Sequence, residues 1–288
     1  MKSDRISIAV LSDIHSNYIA LKACLSYIRK RGINTFIFLG DYLADMAYPQ
    51  KTMELLRELQ KDNTCYFIRG NKEDYWLNYK NNKGEPWKKG STGALLYTYE
   101  QLTEADFEFF ESIPIVRSLS FKDLPDILVC HGSPFAANEN MRPDNERTYE
   151  IMEAVKETII LCGHTHIQNE IVHNGKVVLN GGAVGVPYGS EGKTQFMILY
   201  GEEGEWKHEF VSLEYDREKV VEELIHSELY EYAPYWCTIT ANLVRKGSPS
   251  HGNVLMEAMR LCEEETGSSV WSDIPDKFWE KAIKNLII

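Results

Sequence analysis

The sequence predicts an α+β fold in which mixed β-sheets are followed by a helical C-terminal extension. Short apolar runs alternate with helical patterns at the start of the chain, strand pairs dominate its middle, and the part after Tyr215 is helical in pattern. Alternating strands and helices are typical of parallel sheets, and strands joined by short turns are typical of antiparallel hairpins. The 288 residues leave room for one large domain with a small companion.

The first part of the chain has the order β-α-β-α-β. A helix is predicted from the cap residue Asn17 to Lys30, because its apolar side chains recur on one face. A second helix is predicted to begin at Pro49, since proline suits the first turn of a helix. The apolar runs that predict the three strands are Ile6–Leu11, Thr35–Leu39 and Thr64–Ile68. This order indicates a parallel sheet with its loops at the carboxyl ends of the strands.

The middle of the chain changes from helices to strands. Residues 71–112 are rich in aromatic side chains and have a helical pattern. Asn174-Gly175 joins two strand patterns and predicts a hairpin. A second hairpin is predicted between Gln195–Tyr200 and Trp206–Leu213. The other predicted strands are Ile115–Phe121, Ile127–Cys130 and Thr158–Leu161.

The last part of the chain is predicted to be helical throughout. Asp216 can cap its first helix. The further helices are predicted around Pro234–Lys246, His251–Glu265 and Ile274–Ile288. We therefore divide the chain into a larger domain over residues 1–214 and an extension over residues 215–288. An extension of about 70 residues is marginal for a core of its own, so we expect it to pack on the larger domain or against a second copy.

The composition restricts the possible partners and location. The chain has 31 Lys and Arg residues against 43 Asp and Glu residues, a formal net charge of −12, which disfavours binding to duplex nucleic acid. No apolar stretch approaches the ~18 residues of a membrane span, and Ile6–Leu11 is too short for a signal peptide. The six cysteines form no Cys-x-x-Cys pair and are expected to be reduced thiols. These features predict a cytoplasmic protein without membrane contact.

Residue types that bind metals follow five of the predicted strands. They are Asp13 and His15, Asp41 after Gly40, Asn71 after Gly70, His131, and the pair His164 and His166. Each alone has an ordinary explanation, such as a helix cap, a turn or a core histidine. Because ligands of open α/β sheets converge beyond the carboxyl ends of the strands, we expect these side chains to meet in one place. The remaining histidines lack such a context and are interpreted as structural or solvated: His173, His208, His226 and His251.

The ordered motifs Asp-x-His, Gly-Asp, Gly-Asn-x-Glu, His-Gly and Gly-His-Thr-His resemble those of the calcineurin-like metallophosphoesterase superfamily. The resemblance covers roughly residues 1–213 and implies a four-layer αββα sandwich with mixed β-sheets. It implies a first metal held by Asp13, His15 and His166. It implies a second metal held by Asn71, His131 and His164, with Asp41 bridging the two. Imidazole and carboxylate ligands suit two divalent transition-metal ions, Mn or Fe first, with Zn or Ni as alternatives.

The resemblance also implies an activity. The chain is expected to be a dinuclear metal-dependent phosphoesterase acting on small phosphodiesters, dinucleoside polyphosphates or nucleotide phosphates by attack of a metal-bound hydroxide. The residues assigned to catalysis are Asp41, Asn71, Lys72 and His131. Two other readings stay open: a protein serine/threonine phosphatase of the same superfamily, and a catalytically silent scaffold that kept the fold. The expected partner is a small phosphorylated substrate, with nucleotides among the candidates, and a homodimer is plausible.

Lys72 departs from the family pattern, because many members carry histidine at this position. A lysine neutralises phosphate charge but is a weaker general acid than histidine near neutral pH, which favours substrates with good leaving groups. The alternative is a lysine that points into solvent. Asn17 and Arg69 are candidate substrate contacts, with a helix cap and a surface charge as their alternatives. Four aromatic residues are candidates for base stacking, although packing is favoured: Tyr75, Trp76, Tyr79 and Trp87.

Overall fold

Two five-stranded sheets lie face to face in the computed structural model, which describes residues 6–83 and 86–288. The first sheet has the order β10-β9-β1-β2-β3, and the second has the order β4-β5-β6-β8-β7. The strands of the first sheet are β1 (Ile6–Leu11), β2 (Thr35–Phe38), β3 (Thr64–Phe67), β9 (Thr194–Glu202) and β10 (Glu205–Leu213). Those of the second are β4 (Val116–Leu119), β5 (Ile127–Cys130), β6 (Ile159–Cys162), β7 (Gln168–His173) and β8 (Lys176–Gly181).

Both sheets are mixed, as the sequence predicts. In the first sheet, β1, β2 and β3 run parallel, while β9 pairs antiparallel with both β1 and β10. In the second sheet, β5, β6 and β8 run parallel, while β4 and β7 are antiparallel edge strands. The parallel strands of both sheets carry the predicted metal-binding residues at their carboxyl ends.

Eleven helices flank the sheets within the described residues. Those of the larger domain are α1 (Tyr18–Lys30), α2 (Pro49–Asp62), α3 (Asn71–Lys80), α4 (Gly93–Glu100), α5 (Glu104–Ser112) and α6 (Glu146–Ala154). Those of the extension are α7 (Arg217–Ile225), α8 (Glu228–Tyr232), α9 (Pro234–Lys246), α10 (His251–Thr266) and α11 (Asp276–Leu286), with a 3-10 turn at Trp271–Asp273. The sequence analysis did not predict α6, α8 or the 3-10 turn.

The layers follow from the apolar faces of these elements. One buried cluster lies between the two sheets and includes Ile8 and Val10 from β1 with Val129 from β5. A second cluster packs α1, α2 and α5 on the outer face of the first sheet, and a third packs α6 on the outer face of the second. The architecture is therefore the expected αββα sandwich.

The helices of the extension share their apolar core with the larger domain. The cluster built from α7, α9, α10 and α11 also contains Met46, Ala94, Tyr97 and Val186. The turn before α4 touches the backbone of α8, since the nitrogen of Gly90 donates to the carbonyl oxygen of Tyr232 at 2.7 Å. The extension thus covers the loops that follow β2 and β8.

Two expectations from the composition can be compared with the structure. All six cysteines are free thiols, as predicted, and five of them are buried. Burial raises the pKa of Cys24 and Cys162 to about 12. Across residues 6–83 and 86–288, no helix is both long and apolar enough to cross a membrane.

Candidate metal centre

The strand ends bring the predicted ligands into one cluster. The ligand atoms of Asp13, His15 and His166 lie within 4.8 Å of one another, and so do those of Asp13, Asp41 and His131. These residues follow β1, β2, β5 and β6, so they come from both sheets. Asp13 belongs to both groups, and the two groups therefore form one continuous site.

Three of the four clustered imidazoles are oriented in the same way. The Nδ1 atom of His131 contacts the carbonyl oxygen of Leu39 at 2.7 Å, and that of His166 contacts the carbonyl oxygen of Val186 at 3.0 Å. The Nδ1 atom of His15 contacts a carboxylate oxygen of Asp45 at 2.6 Å. Because carbonyl and carboxylate oxygens only accept, each Nδ1 carries a proton, which leaves Nε2 as the nitrogen that could bind a metal. Three Nε2 atoms thus face the centre of the cluster.

Asp41 lies between the two halves of the cluster. Its Oδ2 atom is 3.6 Å from Nε2 of His15, and its Oδ1 atom is 3.4 Å from Nε2 of His131. The Oδ1 atom also accepts a hydrogen bond of 2.9 Å from the backbone nitrogen of Lys72 at the start of α3. The carboxylate is held so that it presents one oxygen to each half.

Asn71 and His164 complete the set of seven predicted residues. The Oδ1 atom of Asn71 is 3.0 Å from Nε2 of His131, so two predicted ligand atoms converge there. The His164 ring stands 5.2 Å from that of His131, and its backbone nitrogen donates to Oδ2 of Asp13 at 3.1 Å. The structure therefore brings all seven residues to one place.

The backbone at the site is strained. Five of the seven residues have positive φ angles, which non-glycine residues rarely adopt: Asp13 at 55°, His15 at 48°, Asp41 at 52°, His164 at 64° and His166 at 59°. The hydrogen bonds around them hold this geometry, and such strain is typical of functional sites.

Gly40 and Gly70 let the ends of β2 and β3 approach each other. A Cβ atom on Gly40 would lie 2.6 Å from the Cα atom of Gly70, and one on Gly70 would lie 2.3 Å from Oδ1 of Asp41. The buried carboxylate of Glu73 ties the same segments by accepting from the backbone nitrogens of Gly70, Asp41 and Tyr42 at 2.8–3.0 Å. The Gly-Asp and Gly-Asn-x-Glu motifs therefore form one tightly packed unit.

Some buried polar atoms of the cluster are not satisfied by hydrogen bonds to one another, and their chemistry suits a metal ion. Oδ1 of Asp13 and Nε2 of His15 are buried and have no hydrogen-bond partner among the described residues. Burial alone would raise the pKa of Asp13, but His166 and His131 outweigh it and lower the pKa to about 2. The site thus combines carboxylate oxygens with imidazole nitrogens, which is the donor set of a divalent transition metal.

A cleft of about 390 Å³ opens beside the cluster. Lys72 lines it, half-buried, and thus faces the site rather than bulk solvent. Burial alone would lower the pKa of Lys72, but Asp45 and Asp41 outweigh it and raise the pKa above its usual value. Arg142 lies at the rim, and no carboxylate pairs with its side chain among the described residues. The cleft therefore offers two cations next to the candidate metal ligands.

Two other candidate substrate contacts, Asn17 and Arg69, do not line this cleft. Asn17 is buried: it caps α1 through Ala20 and donates to the carbonyl oxygen of Gly185 at 2.9 Å. Arg69 pairs with Asp74 at 2.8 Å and donates to a carbonyl oxygen at the end of α5. Both side chains are committed to holding the fold.

The aromatic candidates divide in the same way. Trp76 is fully buried, and Tyr79 stacks on Trp87 at 4.1 Å, so these three residues pack rather than bind, as the sequence analysis favoured. Tyr75 alone of the four lines the cleft.

The contribution of the extension to the site is not apparent from the sequence. Trp236, His251 and Trp271 line the same cleft as the metal cluster. His251, interpreted from sequence as structural or solvated, is buried there, and burial lowers its pKa to about 4. Asp45 was missed as well, although it follows Asp41 closely in the chain. Its acidic side chain near the Gly-Asp motif was the one available signal.

The fold and the clustered Asp and His residues define a metal-binding phosphoesterase-like domain, and comparisons with known proteins agree. A family model for the calcineurin-like phosphoesterase superfamily domain matches residues 6–204. Protein MJ0912 of Methanocaldococcus jannaschii is 31% identical over 243 residues, which span 78% of this chain and 94% of that protein. The chain therefore belongs to the calcineurin-like phosphoesterase superfamily.

Two solved structures share the fold. Protein PH1004 of Pyrococcus horikoshii OT3 is 22% identical with a TM-score of 0.70, and the match covers 85% of this chain and 100% of that one. A metallophosphoesterase of Sphaerobacter thermophilus is 20% identical with a TM-score of 0.67, over 85% of this chain and 100% of that one. Both matches extend beyond the 199-residue family domain in length, which places part of the extension within the shared fold.

Proposed function

We propose that the chain is a dinuclear metal-dependent phosphoesterase that hydrolyses small phosphoesters. The observation that carries the proposal is the convergence of three imidazole Nε2 atoms on Asp13 and Asp41, with each Nδ1 proton already donated elsewhere. Asp13, His15 and His166 would hold one ion, and Asn71, His131 and His164 the other, with Asp41 between them. Mn or Fe is favoured, with Zn and Ni as alternatives.

When bound, two such ions supply Lewis acidity that orients a phosphoryl group and lowers the pKa of an attacking water. Side chains of the protein would supply the remaining charge stabilisation and substrate binding. Asp41 separates the two positive charges, Lys72 neutralises charge on the substrate phosphate, and Arg142 attracts a second anionic group at the rim. Because Lys72 holds its proton firmly, the leaving group must depart with little protonation.

The walls of the cleft support a small substrate. The α9–α10 region and Trp271 line the same cleft as the metal cluster, so the extension would form part of the wall around the reacting phosphate. A cleft of about 390 Å³ is at the lower end of the range typical of small-molecule sites. This enclosure favours a nucleotide or similar phosphodiester over a phosphorylated protein. The complete set of seven ligand-type residues argues against a silent scaffold.

A substrate panel tests the proposal. Purified protein is loaded separately with Mn²⁺, Fe²⁺, Zn²⁺ or Ni²⁺ and assayed with an aryl phosphodiester, an alkyl monoester, a dinucleoside polyphosphate and a phosphoserine peptide. We expect metal-dependent hydrolysis of the diester or polyphosphate, two metal equivalents per chain, and loss of activity with a chelator. Preference for the peptide would support the protein phosphatase alternative, and metal binding without hydrolysis of any substrate would support the scaffold.

The location proposed from the sequence remains cytoplasmic. Six free thiols fit a reducing compartment, and the acidic balance of the chain fits a small substrate better than duplex nucleic acid.

A further inference from the structure

Asp45 joins a residue of the metal cluster to the C-terminal extension. One of its carboxylate oxygens, Oδ2, accepts from Nδ1 of His15 at 2.6 Å. The other, Oδ1, accepts from the indole Nε1 of Trp236 at 2.7 Å. Asp45 and His15 are almost completely buried, and Trp236 is 8% exposed, so both hydrogen bonds are shielded from water. The two donors, His15 and Trp236, are 221 positions apart in the sequence.

The acceptor character of Asp45 fixes the proton of His15. Each oxygen of the carboxylate faces one ring nitrogen, and the indole N–H of Trp236 can only donate. The carboxylate therefore acts as the acceptor on both sides, and Nδ1 of His15 is the second donor. Nε2 is then left with its lone pair directed at Asp13 and Asp41, at 3.9 and 3.6 Å.

Trp236 in turn fixes the orientation of Asp45. The indole N–H is a donor only, and it occupies the oxygen that His15 does not use. The ring itself is held by stacking on His251, with 4.6 Å between centroids. Asp45 also has a positive φ of 58°, so the loop alone does not hold it in a favourable backbone conformation. The indole therefore restrains the second oxygen of a carboxylate whose first oxygen is bound to His15.

We propose that Asp45 and Trp236 are positioning residues for the metal centre, so that the extension completes the catalytic site from outside the family domain. The inference rests on the proposed function, because it takes His15 as a metal ligand. Partners that accept the second ring proton of a ligand histidine fix its tautomer, and their loss typically weakens metal binding about 10- to 100-fold.

The test measures Mn²⁺ binding to the metal-free, full-length protein by titration calorimetry. Asp45→Asn should weaken binding about 10- to 100-fold. Asparagine tolerates the positive φ, but it offers one acceptor oxygen to two donors, so either Nδ1 of His15 or the indole N–H of Trp236 loses its acceptor. Trp236→Phe keeps the stacked ring and removes one hydrogen bond, so it should weaken binding about 3- to 10-fold. The double variant should bind no more weakly than Asp45→Asn, because Trp236 acts through Asp45.

Trp279→Phe is the matched control. Trp279 is buried in the same extension and donates to Oγ of Ser91 at 2.9 Å. Its ring lies edge-on to Trp236 at 6.3 Å, but among the described residues it makes no hydrogen bond to Asp45. It should lower thermal stability as Trp236→Phe does but leave Mn²⁺ affinity unchanged. Parent-like affinity in folded Trp236→Phe protein would overturn the inference, even if Asp45→Asn failed to fold.

A further variant separates this inference from the proposed function. If His15→Ala binds Mn²⁺ as tightly as the parent, the ligand assignment fails and the positioning role fails with it. If His15→Ala weakens binding while Asp45→Asn and Trp236→Phe do not, the positioning role alone is overturned.

Discussion

Individual side chains at the metal cluster each have a specific geometric task, and that of Asp41 is the most demanding. Its two oxygens face the two halves of the site, 3.6 Å from Nε2 of His15 and 3.4 Å from Nε2 of His131. The other predicted ligands serve one half each, although Asp13 is close to both groups. Loss of the Asp41 charge should therefore affect both ions.

Asp41→Asn should lose at least one metal equivalent and reduce hydrolysis by more than ~100-fold. This loss is larger than the usual effect of removing a residue that only hydrogen-bonds to a metal ligand. Asparagine keeps the shape and tolerates the positive φ, so the fold should persist. Metal content by elemental analysis, turnover and circular dichroism check these points. Asp126→Asn, at an exposed loop carboxylate, is the control. Two metal equivalents and normal turnover in Asp41→Asn would contradict the dinuclear assignment.

Lys72 should decide which leaving groups the site accepts. Its raised pKa keeps the ammonium charged, so it binds anions but gives up its proton poorly. Aryl and nucleotide esters should be hydrolysed far better than alkyl monoesters, and Lys72→His should narrow that gap.

Lys72→Ala should raise KM for a dinucleoside polyphosphate about 10- to 100-fold, as expected for loss of a charged hydrogen bond. The increase should be the same from about pH 6 to about pH 9, because the lysine stays protonated across that range. Steady-state kinetics on the three substrate types measure both effects. Lys122→Ala removes an exposed charge as a control. Unchanged substrate ratios in the Lys72 variants would mean that this side chain plays no part in binding.

The sequence located the predicted ligands because each motif is local. Asp13 and His15 follow an apolar strand, and a short glycine turn marks Asp41 and Asn71. Asp45 and Trp236 have no such signal, since their pairing depends on how the extension packs across the cleft. The helix cap of Asn17 was favoured from the sequence, but its second hydrogen bond was not apparent, because the acceptor on Gly185 is distant in the chain.

At the scale of elements, the strands were predicted closely and the short helices were not. The strands β1 and β5 were predicted with their observed bounds, because continuous apolar runs bounded by polar residues are unambiguous. In contrast, α8 spans five residues and gives no periodic pattern. Whether so short a helix forms depends on packing, here against α4. The sequence of α8 itself carries no signal for that packing.

The contact between α4 and α8 predicts a sharp difference between two glycines. A Cβ atom on Gly93 would lie 2.0 Å from the carbonyl oxygen of Tyr232, so Gly93→Ala should push α8 away from α4 and cost about 1–3 kcal/mol of unfolding free energy. On Gly252 the nearest atom would be 3.8 Å away, so Gly252→Ala should be neutral or stabilise by about 0.4–1 kcal/mol. Urea unfolding of both variants measures the difference. Equal stabilities would show that α8 does not pack against α4 in solution.

For the whole molecule, the shared core predicts a single cooperative unit. The sequence suggested a boundary near residue 214, but it could not show how the two parts meet. In the structure, Met46, Ala94, Tyr97 and Val186 of the larger domain lie within the apolar cluster of the extension. The hydrogen bond from Trp236 to Asp45 crosses the same border. Unfolding of either part would therefore expose apolar surface of the other. Unfolding of the extension would also expose the buried carboxylate of Asp45.

We expect metal-free protein to unfold in one calorimetric transition, with equal van't Hoff and calorimetric enthalpies and a heat-capacity change of about 4 kcal/mol/K for the full chain. Circular dichroism in the far ultraviolet and tryptophan fluorescence should follow the same curve, because Trp236, Trp271 and Trp279 report on the extension. Residues 215–288 expressed alone should not give a folded monomer, since about 70 residues bury too little apolar surface without their partner. Two separated transitions, or a cooperative monomeric fragment, would show that the extension is an independent domain. The metal centre would then depend on Trp236 of a separately folding domain. Unfolding of either part would weaken metal binding.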